Sequence, residues 1–375
     1  MTKAVYWIWF AELFSLEPNV KNYLLESFGD AESIFKCTDY SKFSYLSIKD
    51  KTVLMNKKLE SAEKIIDSSN NLGINIITFD SPLYPPSLRE IYNPPYVLYI
   101  KGIIPDWQEN LFIGMVGTRR CSEYGVAAVR HFCREFAEYG VITVSGLARG
   151  IDTEVATATL ANGGKTLAVL GCGLDICYPS ENSEIMQKVE QCGLLISEFP
   201  PGTPPLPHHF PIRNRIISGI SNGLMVVESP KKGGSLISAD HALEQGKEVF
   251  AVPGSIFQKN SEGTNKLISN GQAKAVLSCE DVLSEFSYTF TKRKPIPAIV
   301  PVSKPTETET HIEAFDSLSE DEKTVAQLLL SGPMHADEIM RTANLPAAQI
   351  TTIFSMLEFS GIIERQSGNI YKLKV

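Results

Sequence analysis

The sequence predicts an α/β fold: an extended, Rossmann-like, doubly wound and mostly parallel sheet, with a small N-terminal helical domain and a C-terminal winged-helix domain. Three observations carry this. Short apolar runs recur at 111–116, 141–145, 166–170, 194–197, 224–227, 249–252 and 275–277, the composition of strands buried on both faces. Helical stretches at 126–139, 152–161 and 239–245 separate several of them, and such alternation marks a parallel sheet. Several of the runs end in a glycine-bearing polar turn, and ligands of such sheets bind outside the carboxyl ends of the strands.

At 375 residues the chain is too long for one small core, so two or three domains are expected. Hydrophobic content of 43% and charged content of 21% are those of an ordinary globular protein. The net charge of −8 argues against coating nucleic acid by bulk charge. A local basic groove stays open, because affinity depends on the charges near the phosphates. The cysteines (37, 121, 133, 172, 177, 192 and 279) form no C-x-x-C pair and no zinc spacing, which favours a reducing, cytoplasmic compartment. The apolar run 4–14 is interrupted by Glu12 and lacks a cleavage site, so it reads as a core helix rather than a signal peptide. No run has the length of a membrane span.

In chain order, residues 1–70 read as small helices, with apolar periodicity over 20–28 and 53–66 and Gly29 as a C-cap. Two uses remain open: a helix-hairpin-helix-like module on DNA backbone, or a packing or partner domain. The balance of lysines by acids favours the second. Residues 71–286 form the sheet domain, opening with strands at 73–79 and 96–100 around a proline-rich connection. A linker follows over 287–314, rich in Pro, Lys, Thr and Glu. Residues 315–375 read as the winged helix: a capping box at 319–322, a Gly332-Pro333 break, two short helices and strand-like pieces at 361–365 and 370–373. Its third helix, 347–358, has no Lys or Arg, which favours protein contact over major-groove readout.

The stretch 141–152 organises the candidate chemistry. A β-branched run breaks at Ser145-Gly146, and a helix restarts after Gly150, where Asp152 is the expected cap. A glycine-flanked turn carrying Arg149 at a helix N-terminus is an anion site; an ordinary βα turn is the competing reading. Similar polar turns are Gly117-Thr118-Arg119-Arg120, Gly171-Cys172-Gly173-Leu174-Asp175 with Tyr178-Pro179, the region 210–218, Glu228 with Gly233-Gly234-Ser235, and 251–255. Gly219-Ile220-Ser221-Asn222-Gly223 has the letters of a nucleophile elbow but precedes a strand. Gly164-Lys165-Thr166 lacks the upstream glycine of a P-loop, and Gly171-Cys172-Gly173 lacks the third dinucleotide glycine. His208-His209 sits in a proline-rich loop and reads as structural. No nucleophile–base pair or metal set emerges, so neither a cofactor nor a metal is expected.

The order of these motifs resembles the DNA-processing protein A (DprA/Smf) family: 116–119, 145–152, Gly173-Leu174-Asp175 with Tyr178-Pro179, Ser197-Glu198, 210–217, Gly234-Ser235-Leu236 and Val252-Pro253-Gly254. The resemblance spans residues 75–280, and the terminal domains are similar to the accessory domains of many relatives. It implies a non-enzymatic, homodimeric protein that binds single-stranded DNA, protects incoming DNA and helps load the RecA recombinase during natural transformation. Three positions depart from the pattern. Ala156 stands where relatives usually have histidine, Gly271-Gln272 where many have Gly-Ala, and Ser180 where some have a basic residue.

The expected DNA track therefore runs along the carboxyl edge of the sheet. Arg119, Arg149, Arg213 and Arg215 orient phosphates, with Arg213 and Arg215 alternatively buried in structural ion pairs. The turn residues Gly117, Thr118, Ser145, Gly146, Gly150, Asn214, Gly234 and Ser235 supply donors. Tyr178 and Phe210 stack on bases or pack in the core. The rival reading is an enzyme, since Glu228 upstream of Gly233-Gly234 is similar to the arrangement in phosphoribohydrolases of nucleoside monophosphates. A regulatory scaffold that binds a nucleotide as a signal is a third reading.

Overall fold

The computed structural model describes residues 3–286, 319–329, 334–343, 346–359, 362–366 and 369–373. They fall into two compact units, Met1–Ala298 and Ile299–Val375. The expected linker 287–314 and the Gly332-Pro333 break lie outside the described residues.

The first unit opens with α1 (Ala4–Ala11), α2 (Pro18–Phe28), α3 (Ala31–Lys36), α4 (Ile48–Leu54) and α5 (Glu60–Asn71). Helix α1 is apolar on most sides and buries Val5, Trp7, Ile8, Trp9 and Phe10, as a core helix does. Pro18 starts α2, and Gly29 ends it at φ +84°, a conformation that glycine adopts without steric cost. The apolar stretch 53–66 spans two helices rather than one: a capping box of Ser47 and Asp50 opens α4, which stops at Leu54, and α5 restarts at Glu60.

The sheet domain then runs β1 (Asn75–Thr78), α6 (Pro86–Arg89), β2 (Val97–Gly102), β3 (Phe112–Val116), α7 (Glu123–Glu138), β4 (Ile142–Ser145), α8 (Ile151–Ala161), β5 (Thr166–Leu170), α9 (Ser183–Cys192) and β6 (Leu194–Ser197). It continues with α10 (His209–Ile220), β7 (Gly223–Val226), α11 (Gly234–Glu244), β8 (Glu248–Ala251), α12 (Glu262–Ser269), β9 (Lys274–Ala275) and α13 (Cys279–Leu283). Among the described residues the strand order is β1-β2-β6-β5-β4-β3-β7-β8-β9. Strands β6 to β9 in that order are parallel, with Ile113 opposite Thr143 and Val116 opposite Val226, while β1 and β2 add an antiparallel edge.

The chain steps outward from β3 as far as β6, then returns to place β7 on the other side of β3. The crevice between β3 and β7 is thus the switch point at which such sheets bind ligands. Strand alternation divides the core. Along β3, Ile113 and Met115 join Val129, Phe132 and Phe136 of α7 and Val155 of α8. Phe112 and Val116 join Ile216, Ile217 and Ile220 of α10. Each such buried side chain contributes about 1.5–3 kcal/mol. Val97 and Tyr99 of β2 share a third cluster with the N-terminal helices.

One expectation fails here. His208 ends the proline-rich segment as expected, but residues 209–218 are not loop or polar turn, because α10 begins at His209. Pro211 sits in the first turn of α10, where its missing N–H has no intrahelical partner to lose. His209 is buried and stacks on Phe199 with ring centres 4.1 Å apart.

The second unit comprises α14 (Glu320–Leu329), β10 (Met334–His335), α15 (Ala336–Thr342), α16 (Ala347–Phe359), β11 (Ile363–Gln366) and β12 (Ile370–Leu373). Ser319 and Glu322 form the expected capping box, each side chain accepting from the other residue's N–H. The antiparallel sheet β10-β12-β11 carries Tyr371, which stacks on Phe354 of α16 at 4.1 Å.

Candidate functional site: a groove at the switch point

A groove of about 400 Å³ opens between the ends of β3 and β7. It brings together Gly117, Thr118, Arg119, Phe210, Arg213, Asn214, Gly234 and Ser235. Ser145, Gly146, Arg149, Gly150, Tyr178 and Arg215, expected in the same track, do not line it.

The turn after β4 explains part of that division. Asp152 does not cap α8: the N-cap is Gly150 at φ +78°, and a side chain there would collide with the Thr118 carbonyl. Asp152 lies inside the first helical turn, buried, and lines the groove with Ala148. Burial raises its carboxyl above the ordinary value, against the opposing pull of Arg213, the backbone amides of Ala148 and Gly146, and Arg119. Ile151 N–H donates to Thr118 O at 3.2 Å, and Ser145 Oγ donates to Met115 O at 2.8 Å. Ile151 N–H and the Ser145 hydroxyl are thus engaged within the fold, while Ala148 and Asp152 bring the same turn to the groove wall.

The four arginines separate in the same way. Arg213 is 3% exposed; its Nη1 donates to Gly146 O at 2.8 Å and to Val169 O, and its Nε donates to Asn214 Oδ1 at 3.2 Å. It ties the ends of β4 and β5 together, and any side chain at Gly146 would run into its guanidinium. Burial lowers its pKa, and Asp152 is the first group that opposes this. Arg149 is exposed and pairs with Glu181 at 2.5 Å. Arg215 pairs with Glu198, also at 2.5 Å, away from the groove. Arg119 is the one of the four that brings an exposed guanidinium to the groove, 5.2 Å from the centre of the Phe210 ring. Phe210 in turn lies 5.5 Å from Tyr178.

Opposite Arg119, the turn after β7 supplies a helix N-terminus. Gly233 is the N-cap of α11, with no side-chain cap and no acid in the first turn. Gly233, Gly234 and Ser235 line the groove, and the Ser235 Oγ is buried without a hydrogen-bond partner among the described residues. Free N–H groups and the positive helix end favour an anion there. Lys232 lines the same groove and was missed in the sequence. The signal was present as Lys231-Lys232 directly before Gly233-Gly234. By contrast the α7 N-terminus is closed. Glu228, 2% exposed, accepts from Ser122 N–H at 2.9 Å and from Ser122 Oγ at 2.5 Å. A Cβ at Gly125 would strike this carboxylate.

Among the described residues no cluster of three or more His, Cys, Asp or Glu side chains could hold a metal ion. No helix there is long and apolar enough to cross a membrane. The cysteines are free.

The family model "DNA recombination-mediator protein A" matches residues 75–287, and the DprA winged helix domain matches residues 311–369. The DNA processing protein DprA of Bacillus subtilis is 44% identical over 222 residues, covering 59% of this chain and 74% of the relative. The crystal structure of DNA processing protein A from Streptococcus pneumoniae superposes with a TM-score of 0.62 at 35% identity, over 76% of this chain and 98% of that one. DNA processing protein A from Helicobacter pylori, a structure described for its single-stranded DNA binding mode, gives a TM-score of 0.52 at 28% identity, over 58% and 97% of the two chains. The switch-point groove therefore sits in a domain whose whole length matches one family, and the chain belongs to the DNA-processing protein A (DprA/Smf) family.

Proposed function

We propose that this protein binds single-stranded DNA in the switch-point groove and acts as a recombination mediator. In this reading it works in the cytoplasm as a homodimer, protects incoming DNA and helps load RecA during natural transformation. The observation that carries DNA binding is the open N-terminus of α11, with an unpartnered Ser235 hydroxyl, beside Arg119 and Lys232. These groups suit one phosphate-bearing strand, and rotation of Ser235 about its Cα–Cβ bond turns the hydroxyl toward it. The half-exposed Phe210 ring on the same groove offers a base a stacking surface, which paired bases inside a duplex do not reach. The H. pylori relative, with its single-stranded DNA binding mode, supports the same preference.

The hydrolase reading is disfavoured by Glu228, whose carboxylate is buried and engaged in capping α7. Asp240, the first acid after Gly234, is exposed on α11 and does not line the groove. The decisive measurement is fluorescence anisotropy of the full chain with labelled single-stranded and duplex oligonucleotides across a salt series. Tighter binding of the single strand, weakening steeply with salt, is expected. Equal affinity for both forms, or release of free base from nucleoside monophosphates, would overturn the reading.

A further inference from the structure

A second cavity, of about 380 Å³, lies where α1 and α2 meet β2, the end of β6 and α10. Ile8, Leu16, Tyr96, Tyr99 and Phe199 give it apolar walls. Two cations also line it, and both are more than nine-tenths buried: Lys21 of α2 is 7% exposed and Arg215 of α10 is 8% exposed. Lys21 Nζ donates to the Ala11 carbonyl at 3.3 Å, one of the three donors an ammonium carries, and lies 5.3 Å from the centre of the Tyr96 ring. Arg215 Nη2 donates to Glu198 Oε1 at 2.5 Å, while its Nε and Nη1 have no hydrogen-bond partner among the described residues. Of the three carboxylates that line the cavity, Glu12, Glu17 and Glu198, the last is the one that pairs with Arg215.

A buried cation without a full countercharge is costly. Burial pulls the Lys21 ammonium down to about 8, with Glu198 opposing and Arg215 reinforcing that fall. A concave, largely apolar space with a few convergent polar groups is the usual form of a small-molecule site, and such sites favour junctions between structural modules. None of the residues lining this cavity lines the DNA groove.

We propose that this cavity binds a small organic acid, with one carboxylate held by Lys21 and drawn toward Arg215, and a ring-sized apolar body against Tyr96, Tyr99 and Phe199. A monocarboxylate suits the charges better than a phosphate. Glu12 and Glu17 also line the cavity and repel a dianion more strongly than a monoanion. The site is a feature of the junction between the N-terminal helices and the sheet, and it stands whether or not the groove binds DNA.

The test is isothermal titration of phenylacetate and of indole-3-acetate into the full chain, with neutral phenylacetamide as the isostere. Saturable binding of at least one acid, tighter than about 1 mM, is expected, with the amide weaker by about tenfold or more. Lys21→Met is expected to weaken the acid by about tenfold while leaving the affinity for single-stranded DNA unchanged. Ile212→Trp, at a cavity-lining position that is 42% exposed, fills the space without removing a charge, and decides the matter if Lys21→Met does not fold. Absence of saturable binding by both acids, equal binding of the amide, or wild-type acid affinity in the folded variants would overturn the proposal.

Discussion

The Arg119 guanidinium lies 5.2 Å from the centre of the Phe210 ring, so a cation and an aromatic face are presented side by side. Cation–π contact holds the arginine over the ring while leaving its N–H fork free for a phosphate. Removing it takes one charge from the track. Arg119→Ala is expected to lower single-strand affinity and to reduce the slope of log K against log salt by about 0.7. Anisotropy titrations at four or more salt concentrations measure both, and an unchanged slope would remove Arg119 from the phosphate contacts.

Ser235 separates binding from folding. Its hydroxyl is buried with no hydrogen-bond partner among the described residues, so Ser235→Ala removes an unsatisfied group and leaves stability equal or higher. If the hydroxyl donates to a phosphate oxygen in the complex, its loss costs about 1.5–3 kcal/mol of binding. The melting temperature of this variant is expected to hold or rise while its DNA affinity falls, and a parallel loss of both would contradict this role.

Glu228 behaves in the opposite sense. Glu228→Ala strips Ser122 of its acceptor and leaves a helix-start N–H without a partner, a loss of about 1–3 kcal/mol. Denaturant unfolding is expected to show it as a lower midpoint with an unchanged slope. A stable variant that had instead lost a base-releasing activity would restore the hydrolase reading.

Lys21 sets a pH dependence. Its folded pKa of about 8 lies below the ordinary lysine value of 10.5, so the unfolded chain binds more protons between those values. Stability therefore rises with pH across that window as the penalty for burying the ammonium disappears. Unfolding free energies from pH 7 to about 9.5, below ordinary tyrosine ionisation, are expected to climb more in the wild type than in Lys21→Met. Parallel profiles would mean that Lys21 is solvated as the folded chain titrates.

Strands β3 to β7 were legible in the sequence because each is buried on both faces and carries the apolar signal itself; 166–170 and 194–197 coincide with β5 and β6. Helix α10 was hidden because Pro211 and its basic residues look like a loop when position within a helix is ignored. The groove was legible where a turn carries its own chemistry, as at Gly117–Arg119 and Gly234-Ser235. It was illegible where a partner elsewhere in the chain decides the outcome. Nothing local distinguishes Arg119 from Arg149, yet Glu181 occupies the second. Nothing near Arg213 announces that the carbonyls of Gly146 and Val169 take its donors.

Asp152 within the β4 turn has a consequence for how ligand and fold are coupled. A DNA-binding floor built on bare buried arginine would hold together poorly until a phosphate arrived, and the apo protein would be sensitive to ionic strength. Here Arg213 already donates to the carbonyls of Gly146 and Val169, and Asp152 opposes the fall in its pKa that burial causes. The floor is complete before any strand enters. If the groove takes a strand as proposed, salt is expected to act on occupancy more than on the scaffold.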